Sequence, residues 1–396
     1  MRKTNLLGTA TMLLLLVLGS VPAFGAASES VCTPEGCAVP KIGQTDKRLP
    51  AYDDYARFIA GLSNPEGALA AYEDKPAWVR HAKFFDHNWE RFTRGRLAPM
   101  REWAAKELGS GTTATVFYPF SGPDFVNVFN LFPHAKTYLL IALEPVGEMP
   151  DFAAGKGQNF FASLQRSLYD LLHLDFFITN KMKSSIGKSE LKGTLPVLMF
   201  FLAREQARVL DVQHWVMKPD GTIAESPALS PGDRPTGIPG VRIVFTSPGS
   251  AENQTLYYFQ FNLGNDSFGR NQHFVSFLKS FGPMTSFTKA ASYLMYKPHF
   301  SAIREFILDQ SLYVLQGDSG IPLRYFDPTG WDLRFYGTYA GPIALFSNCY
   351  QADMANIYRR GDIQPLPFGI DYRHRARTSN LMFASKRVKL QARAPN

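Results

Sequence analysis

Apolar residues recur at three-to-four-residue spacing in the first part of the chain, which is typical of amphipathic helices. This spacing predicts helices over residues 52–62, 76–92 and 98–108. Residues 113–120 and 138–143 are instead continuous apolar runs rich in β-branched and aromatic side chains, as in buried strands. Because only a short helix, residues 125–132, fits between them, the two strands are predicted to pair in parallel through a crossover connection.

The second half of the chain contains further strand-like and helix-like segments. Strands are predicted at residues 195–202, 207–217, 311–315, 323–326 and 332–336, a hairpin at 241–246 with 255–263, and helices at 159–174, 271–281, 286–295 and 301–308. Helices that alternate with buried strands indicate an α/β fold. We therefore expect a three-layer, Rossmann-like, mostly parallel sheet with an added antiparallel hairpin and an N-terminal helical cap.

The amino-terminal residues are typical of a secretory signal peptide. Met1-Arg-Lys is positively charged, a short apolar run follows, and small residues precede a cleavage site near Ala26. No later apolar stretch has the about 20 residues that a membrane span needs, so the mature protein is expected in the periplasm or outside the cell, without a span. The predicted organisation is a signal peptide (1–25), an extended leader (26–50), a helical cap (51–110), an α/β domain (111–358) with a loop insertion at about 218–240, and a basic C-terminal segment (359–396).

Export affects the interpretation of the three cysteines in this sequence. Cys32 and Cys37 flank a Pro-Glu-Gly turn, and in an oxidising compartment this spacing favours a local disulfide. Cys349 lies in an apolar setting and is predicted to be a buried free thiol. Since no Cys or His pair completes a metal site with the first two cysteines, no metal is predicted.

Most of the net charge of +8 lies in the C-terminal segment. From residue 359 onward, nine Lys and Arg residues face two Asp residues, which accounts for +7 of that charge. A concentrated tail on an otherwise nearly neutral body argues against nucleic-acid binding. The favoured interpretation is a segment in solvent, with binding to an acidic envelope polymer as the alternative.

Polar side chains follow two of the predicted strands. Ser121 and Asp124 follow the first strand, which contains Tyr118, and Glu144 follows the second. In open α/β sheets, ligands bind beyond the carboxyl ends of the strands, which makes these four residues candidate ligand contacts. Asp124 also stands where a helix N-cap is expected, so a purely structural role is the alternative.

The separation of Gly122 and Glu144 resembles that between the glycine loop and the ribose-binding acid of a dinucleotide site. However, Ser121-Gly-Pro-Asp124 has one glycine where that fingerprint has three. Such cofactors are also scarce outside the cytoplasm, and no cofactor is predicted. Ser121 lies in a strand-turn-helix corner of the kind that exposes a catalytic serine, although Gly-x-Ser-x-Gly is missing, so hydrolysis is kept as an alternative.

A second polar turn, Gly317-Asp-Ser-Gly320, ends a late predicted strand. Its four residues match those around the nucleophile of trypsin-like proteases, but no histidine has the matching context and the flanking chain is helical. We interpret it as a strand-ending turn. Asp318 and Ser319 are expected to share one crevice with Ser121 and Asp124. Further candidate contacts, suited to sugars or aromatic ligands, are Arg324, Tyr336 and Tyr339.

Four motifs together resemble those of a known family. They are Phe117-Tyr-Pro-Phe-Ser-Gly-Pro-Asp124, Leu143-Glu-Pro-Val-Gly147, Asp318-Ser-Gly-Ile-Pro322 and Tyr336-Gly-Thr-Tyr339. The chain resembles, over most of its mature length, a family of uncharacterised exported bacterial proteins. This resemblance supports export and the site location, and it implies no activity.

The sequence thus favours an exported, envelope-associated α/β protein that binds a small molecule or glycan in a crevice at strand ends. Two alternatives stay open: a hydrolase or degenerate methyltransferase-like enzyme, and a structural or partner-binding protein. Catalytic residues are not predicted, and whether the protein is an enzyme is left open.

Overall fold

The computed structural model describes residues 51–109, 111–152, 159–174, 191–226 and 236–387. The predicted signal peptide and leader, and with them Cys32 and Cys37, lie outside the described residues. Within those ranges, no helix combines the length and apolar character needed to cross a membrane. Cys349 is a free thiol there, and it is half-buried rather than buried.

A single sheet organises the described part of the chain. Its strands are β1 (Thr115–Pro119), β2 (Thr137–Ala142), β3 (Arg208–Met217), β4 (Ile223–Glu225), β5 (Ile238–Thr246), β6 (Gln254–Gln260), β7 (Met284–Thr288), β8 (Ser311–Gln316), β9 (Trp331–Gly337) and β10 (Asn380–Lys386). They are ordered β4-β3-β5-β6-β2-β1-β7-β8-β10-β9. The central strands β6, β2, β1, β7 and β8 run parallel, whereas the pairings toward both edges are antiparallel.

The α/β class is confirmed, and the predicted β1–β2 parallel pair and the β5–β6 hairpin are present. The prediction of a mostly parallel sheet is not confirmed, since five of the nine strand pairings are antiparallel. The difference arises because antiparallel strands extend the sheet at both edges, whereas the sequence pattern predicted only one added hairpin.

Helices cover the sheet on its two faces. They are α1 (Tyr52–Ile59), α2 (Pro76–Phe92), α3 (Ala98–Glu107), α4 (Phe125–Leu131), α5 (Phe160–Leu174), α6 (Leu195–Arg204), α7 (Gln272–Lys279), α8 (Ser301–Gln310) and α9 (Ala352–Arg360). Successive side chains of a strand point to opposite faces. Accordingly, Val116 and Tyr118 pack in a core with α1–α6, while Phe117 packs in a second core with α7–α9.

The predicted strand at residues 195–202 is wrong, because this segment is helix α6. All ten of its residues are buried. A helix that is apolar on every side shows no 3.6-residue periodicity, and its short apolar run looks like a buried strand.

The predicted helix at residues 286–295 is also wrong. Residues Met284–Thr288 form β7, and all five are buried. Three of the following residues, Ala290, Ser292 and Tyr293, have left-handed backbone conformations with φ of 51°, 52° and 52°. Nothing in the side-chain chemistry of these non-glycine residues indicates such a conformation. The short strand predicted at 323–326 is wrong as well, because Leu323–Tyr325 form a 3₁₀ turn.

The interpretation of residues 359–396 as a solvated tail is wrong for β10. This strand lies between β8 and β9, and Leu381–Ala384 are buried in the two cores. Its terminal charge is accommodated at the surface, where Lys386 Nζ donates to the carbonyls of Leu308 and Asp309 at 2.9 and 2.8 Å. Because charged residues dominate this segment, its short apolar run was not predicted as a strand of the sheet.

Candidate functional site

A cavity of about 620 Å³ opens at the carboxyl ends of the central parallel strands. Its walls come from the segments that follow β1, β2, β6 and β7, with a further wall from the 3₁₀ segment Ala344–Cys349. This is the end of a parallel sheet at which α/β proteins bind ligands. Of the predicted site residues, it is lined by Tyr118, Ser121, Asp124 and Glu144.

The walls of the cavity are predominantly apolar. Apolar contacts include Phe120, Ile141, Ala142, Leu143, Phe261, Leu263, Ala291, Leu294, Phe300, Ile343, Leu345 and Phe346. Polar side chains converge on this surface from several loops, including Asn262, Lys289, Ser292 and Tyr372. An apolar cavity with a few convergent polar groups is the usual form of a small-molecule site, and its volume lies within the about 300–1,000 Å³ typical of such sites.

The corner after β1 places two polar residues at the cavity. Phe120 and Gly122 both have positive φ, 60° and 55°, which turns the chain sharply from strand into helix. Asp124 is the N-cap of α4, as predicted. Ser121 Oγ donates to the carbonyls of Gly122 and Ile141, at 2.9 and 3.4 Å, so its hydroxyl is engaged with backbone rather than with a general base. This arrangement does not support a nucleophilic Ser121.

A buried ion pair lies at the wall of the cavity. Lys289 Nζ is 2.7 Å from Asp124 Oδ2, and both side chains are almost completely buried. Tyr118 Oη donates to the same oxygen at 2.9 Å. Asn127 donates to Asp124 Oδ1 twice, through its side-chain Nδ2 at 2.9 Å and through its backbone N–H at 3.4 Å. Each carboxylate oxygen thus has its own donors, which is the condition for keeping a charge in such an environment.

Glu144 reaches the cavity from the segment after β2. The residue is buried, and its carbonyl accepts a 2.8 Å hydrogen bond from Tyr258 Oη. Burial, with a smaller contribution from the Glu144 charge, raises the pKa of Tyr258 well above its ordinary value. Tyr258 therefore acts as a neutral donor that fixes this strand end.

Asp318 and Ser319 lie behind the cavity wall and do not line the cavity. We call residues 289–293 the β7 loop, and these two residues hold it from behind. Ser319 Oγ accepts from the Ala291 amide at 3.2 Å, and Asp318 Oδ2 accepts from Tyr293 Oη at 2.8 Å. The shared crevice predicted for Ser121, Asp124, Glu144 and Asp318 therefore has Asp318 in a supporting position.

A second buried carboxylate, Asp371, completes this support. Its Oδ2 accepts from Ser319 Oγ at 2.6 Å, and the Ala290 amide also donates to its carboxylate. Tyr372 Oη donates to the Ala290 carbonyl at 2.9 Å. Left-handed non-glycine residues cost on the order of 1–3 kcal/mol each and persist only when their surroundings over-determine them. The β7 loop is therefore a strained segment held by a buried polar network.

The Gly317–Gly320 turn has a structural explanation. A side chain at position 317 would meet Asp371 Oδ2 at 2.2 Å, so glycine is needed for the carboxylate to approach the backbone. The motif thus places Asp371 and Ser319 behind the β7 loop, which accounts for its residues without protease chemistry.

Arg324, Tyr336 and Tyr339 do not line the cavity. The Arg324 guanidinium lies over the rings of Tyr296 and Tyr325. Tyr336 is buried in the core that packs with helices α1–α6, where its hydroxyl donates to Glu107. Tyr339 Oη accepts from the Gln351 amide at 2.8 Å. All three have structural contacts, and none is brought to the predicted crevice.

The sequence-based prediction missed Lys289, Asp371 and Tyr372. Lys289 was not predicted because residues 286–295 were expected to be helical, and a single lysine on a helix is an ordinary surface charge. A lone charge after the run Met284–Thr288 was the available signal. Asp371 and Tyr372 were assigned to the basic segment, and no local pattern connects them to β7.

Burial, together with the nearby charge of Asp318, raises the pKa of Asp371 from 3.8 to about 6. The folded protein therefore holds this proton to a higher pH than the unfolded chain, so its stabilising effect is lost as the pH rises from about 4 to about 6. Burial raises the pKa of Asp318 in the same direction. Relative to an Asp371→Asn variant, the wild type should lose on the order of 1–3 kcal/mol of unfolding free energy between pH 4 and pH 7.

Urea unfolding of both proteins across this pH range measures the difference. Asparagine tolerates the left-handed conformation of position 371, where φ is 64°, so the substitution retains the backbone. Asp362→Asn, at an exposed residue, is the reference for removal of a surface carboxylate. A wild type that gains stability relative to Asp371→Asn as the pH rises would contradict the prediction.

Among the described residues, no group of three or more His, Cys, Asp and Glu side chains is arranged to hold a metal ion. In comparisons with known proteins, no family model, no curated protein and no solved structure matched this chain. The functional conclusion therefore depends on the geometry of the cavity.

Proposed function

We propose that this protein binds a small amphipathic molecule in the cavity at the carboxyl ends of its central parallel strands. The observation that carries this proposal is the combination of a largely apolar cavity of about 620 Å³ with the buried Asp124–Lys289 pair at its wall. The apolar part of a ligand would occupy the space between Phe120, Leu294 and Phe346. Its polar end would contact the charged pair.

The mouth of the cavity supports this proposal. Leu345 is 79% exposed and Leu143 is 47% exposed, and both line the cavity. Exposed large apolar side chains that continue an apolar pocket mark a binding surface rather than ordinary surface scatter. They provide an apolar entrance that a purely polar ligand does not need.

The central strands serve in this proposal as a Rossmann-like ligand scaffold, without a dinucleotide. A glycan is the other ligand class expected from the sequence, but the apolar walls favour an amphipathic ligand. Export to the cell envelope, the disulfide and a polymer-binding role of the basic segment remain part of the proposal. A hydrolase is less well supported, because Ser121 bonds to carbonyls and Ser319 Oγ donates to Asp371.

A thermal-shift panel tests the ligand class. Decanoate and 2-naphthoate represent amphipathic molecules, and chitobiose, NAD and S-adenosylmethionine represent the competing classes. We expect the two amphipathic acids to raise the Tm by several degrees near saturation, because a ligand at 100 times its Kd adds about 2.7 kcal/mol. Stabilisation only by the sugar or the nucleotides would overturn the proposal, and so would a panel without any stabilisation.

Variants at exposed leucines locate the site. Leu345→Asp should weaken decanoate binding at least fivefold, about 1 kcal/mol, because it puts a charge at the apolar mouth. The side chain is mostly exposed, so the Tm without ligand should change little. Leu210→Asp, at an exposed leucine of β3 that does not line the cavity, is the matched control. Titration calorimetry measures the decanoate affinities of both variants. Equal affinities of Leu345→Asp and Leu210→Asp would show that decanoate binds outside this cavity.

A further inference from the structure

Lys289 is an unusual lysine because it is buried at the wall of an apolar cavity. The residue is only 3% exposed, and its long side chain ends 2.7 Å from Asp124 Oδ2. Lysines are rarely buried unless they are paired, and a buried pair is often no more stabilising than apolar residues of the same size. Lys289 and its partner Asp124 both line the cavity, so this pair lies beside any molecule that binds there.

The neighbours of this amine are the groups that proton transfer requires. Lys289 Nζ and Tyr118 Oη contact the same oxygen of Asp124, at 2.7 and 2.9 Å. Asn127 donates to the other oxygen and fixes the carboxylate. An amine, a carboxylate and a phenol hydroxyl therefore converge at one point of the cavity wall.

The backbone around the lysine is strained in a way that fixes its position. Lys289 directly precedes Ala290, and positive φ values recur at Ala290, Ser292 and Tyr293. The network of Asp371 and Ser319 holds this loop from behind. Strained non-glycine residues cluster at functional sites, where they keep a reacting group in place.

We propose that Lys289 captures the carbonyl group of an aldehyde or ketone ligand as a protonated imine. This inference rests on the proposed function, because the same cavity binds the apolar part of the ligand. It specifies the ligand class as an apolar molecule that carries a reactive carbonyl group. Amines of lysine form such bonds with carbonyl substrates in many enzymes.

The reaction balances without any further reactant. The Lys289 ammonium transfers a proton to Asp124, and the neutral amine adds to the carbonyl carbon to form a carbinolamine. Asp124 returns the proton to the carbinolamine oxygen, which leaves as water when the C=N bond forms. Ammonium and carbonyl thus become iminium and water. The nitrogen carries one positive charge before and after the reaction, and the net charge of the Lys289–Asp124 pair is zero at every stage. The buried Asp124 carboxylate therefore has a cationic partner before and after the reaction.

Reductive trapping tests this inference. The probe is 2-naphthaldehyde with sodium cyanoborohydride, and the matched non-reactive ligand is 2-naphthalenemethanol. Peptide mass spectrometry locates the alkylated lysine. We expect one adduct per chain at Lys289, formed at least tenfold faster than at the exposed Lys297, and suppressed by an excess of the alcohol.

Two variants and one binding measurement make the outcomes distinct. Lys289→Arg keeps the positive charge beside Asp124 but cannot form an imine, so the adduct at position 289 should be lost. Lys297→Arg should keep the adduct at Lys289. Wild-type protein also tests the inference without any variant, through suppression by the alcohol.

If the alcohol binds with a Leu345-dependent affinity but no adduct forms at Lys289, the imine inference is wrong and the proposed function stands. If neither naphthalene compound binds in the cavity, the imine inference is wrong, and if decanoate does not bind there either, the proposed function is wrong as well. Labelling of Lys289 at the rate of Lys297 also overturns the inference.

Discussion

Replacing Lys289 with methionine is expected to reduce the unfolding free energy by about 3–5 kcal/mol. The substitution keeps most of the apolar volume but leaves the Asp124 carboxylate buried without its cationic partner. Removing one partner of a buried ion pair costs this much because the remaining charge cannot be solvated. Urea unfolding at pH 7 measures the loss.

A double-mutant cycle separates the ion pair from other effects of the substitution. In Lys289→Met/Asp124→Asn, the remaining amide is neutral. Its oxygen can still accept from Asn127, and its NH2 group can donate to the Tyr118 hydroxyl. We therefore expect the double variant to be more stable than the sum of the single losses implies, by about 2 kcal/mol or more. The control is Lys136→Met, which breaks a 2.8 Å ion pair with Glu252 between exposed side chains. Such pairs contribute little, so this variant should be close to the wild type. Similar losses at positions 136 and 289 would show that burial of the pair does not matter.

Gly147→Ala is the second substitution for which a large effect is expected. Gly147 follows the Glu144 strand end and has a φ of 75°. An added Cβ would lie 2.4 Å from Gly193 Cα, where two backbone segments pack directly together. The chain there is fixed by hydrogen bonds from Thr194 and Leu195 to the carbonyls of Pro145 and Val146, both 2.9 Å. We expect a loss of about 2–4 kcal/mol, since left-handed strain and overpacking add together.

Gly249→Ala separates these two contributions. Gly249 has the same φ of 75°, but a Cβ there would have no atom within 4 Å. It should lose only the about 1–2 kcal/mol of the left-handed conformation. Gly147→Ala should additionally weaken decanoate binding, because a shift of this segment moves Glu144 at the cavity. Equal losses of unfolding free energy for the two alanine variants would contradict the close packing of Gly147 on Gly193.

The Asp124–Lys289 pair also shows how far local patterns predict a site. Asp124 was predicted from its position after a strand and before a helix, and the structure places it at both the N-cap and the cavity. Lys289 lies 165 residues further along the chain, directly after strand β7, in a segment that was predicted as a helix. Its pairing with Asp124 follows from the register of β7 beside β1, which no short segment determines.

Single segments with a clear apolar period were predicted well. The helices α2 and α3 follow from side-chain spacing, because one face of each must be buried. The strands β1 and β2 are buried on both faces and were predicted from continuous runs of β-branched and aromatic residues, and the β5–β6 hairpin from two adjacent strand-like segments. The strand ends that carry Ser121, Asp124 and Glu144 follow from the same pattern. These residues line one cavity because parallel strands place their carboxyl ends on one edge of the sheet.

Other features depend on contacts that form only in the folded chain. Helix α6 and strand β7 are buried on all sides, so their sequences carry no period that distinguishes helix from strand. Strand β10 enters the sheet between β8 and β9 from a segment in which charge dominates the composition. The left-handed β7 loop, and its support by Asp318 and Asp371, depend on contacts between distant parts of the chain. Local side-chain patterns predicted the edge of the sheet at which the cavity opens, whereas the folded chain sets which charges meet there, because long-range strand order determines the neighbours of each side chain.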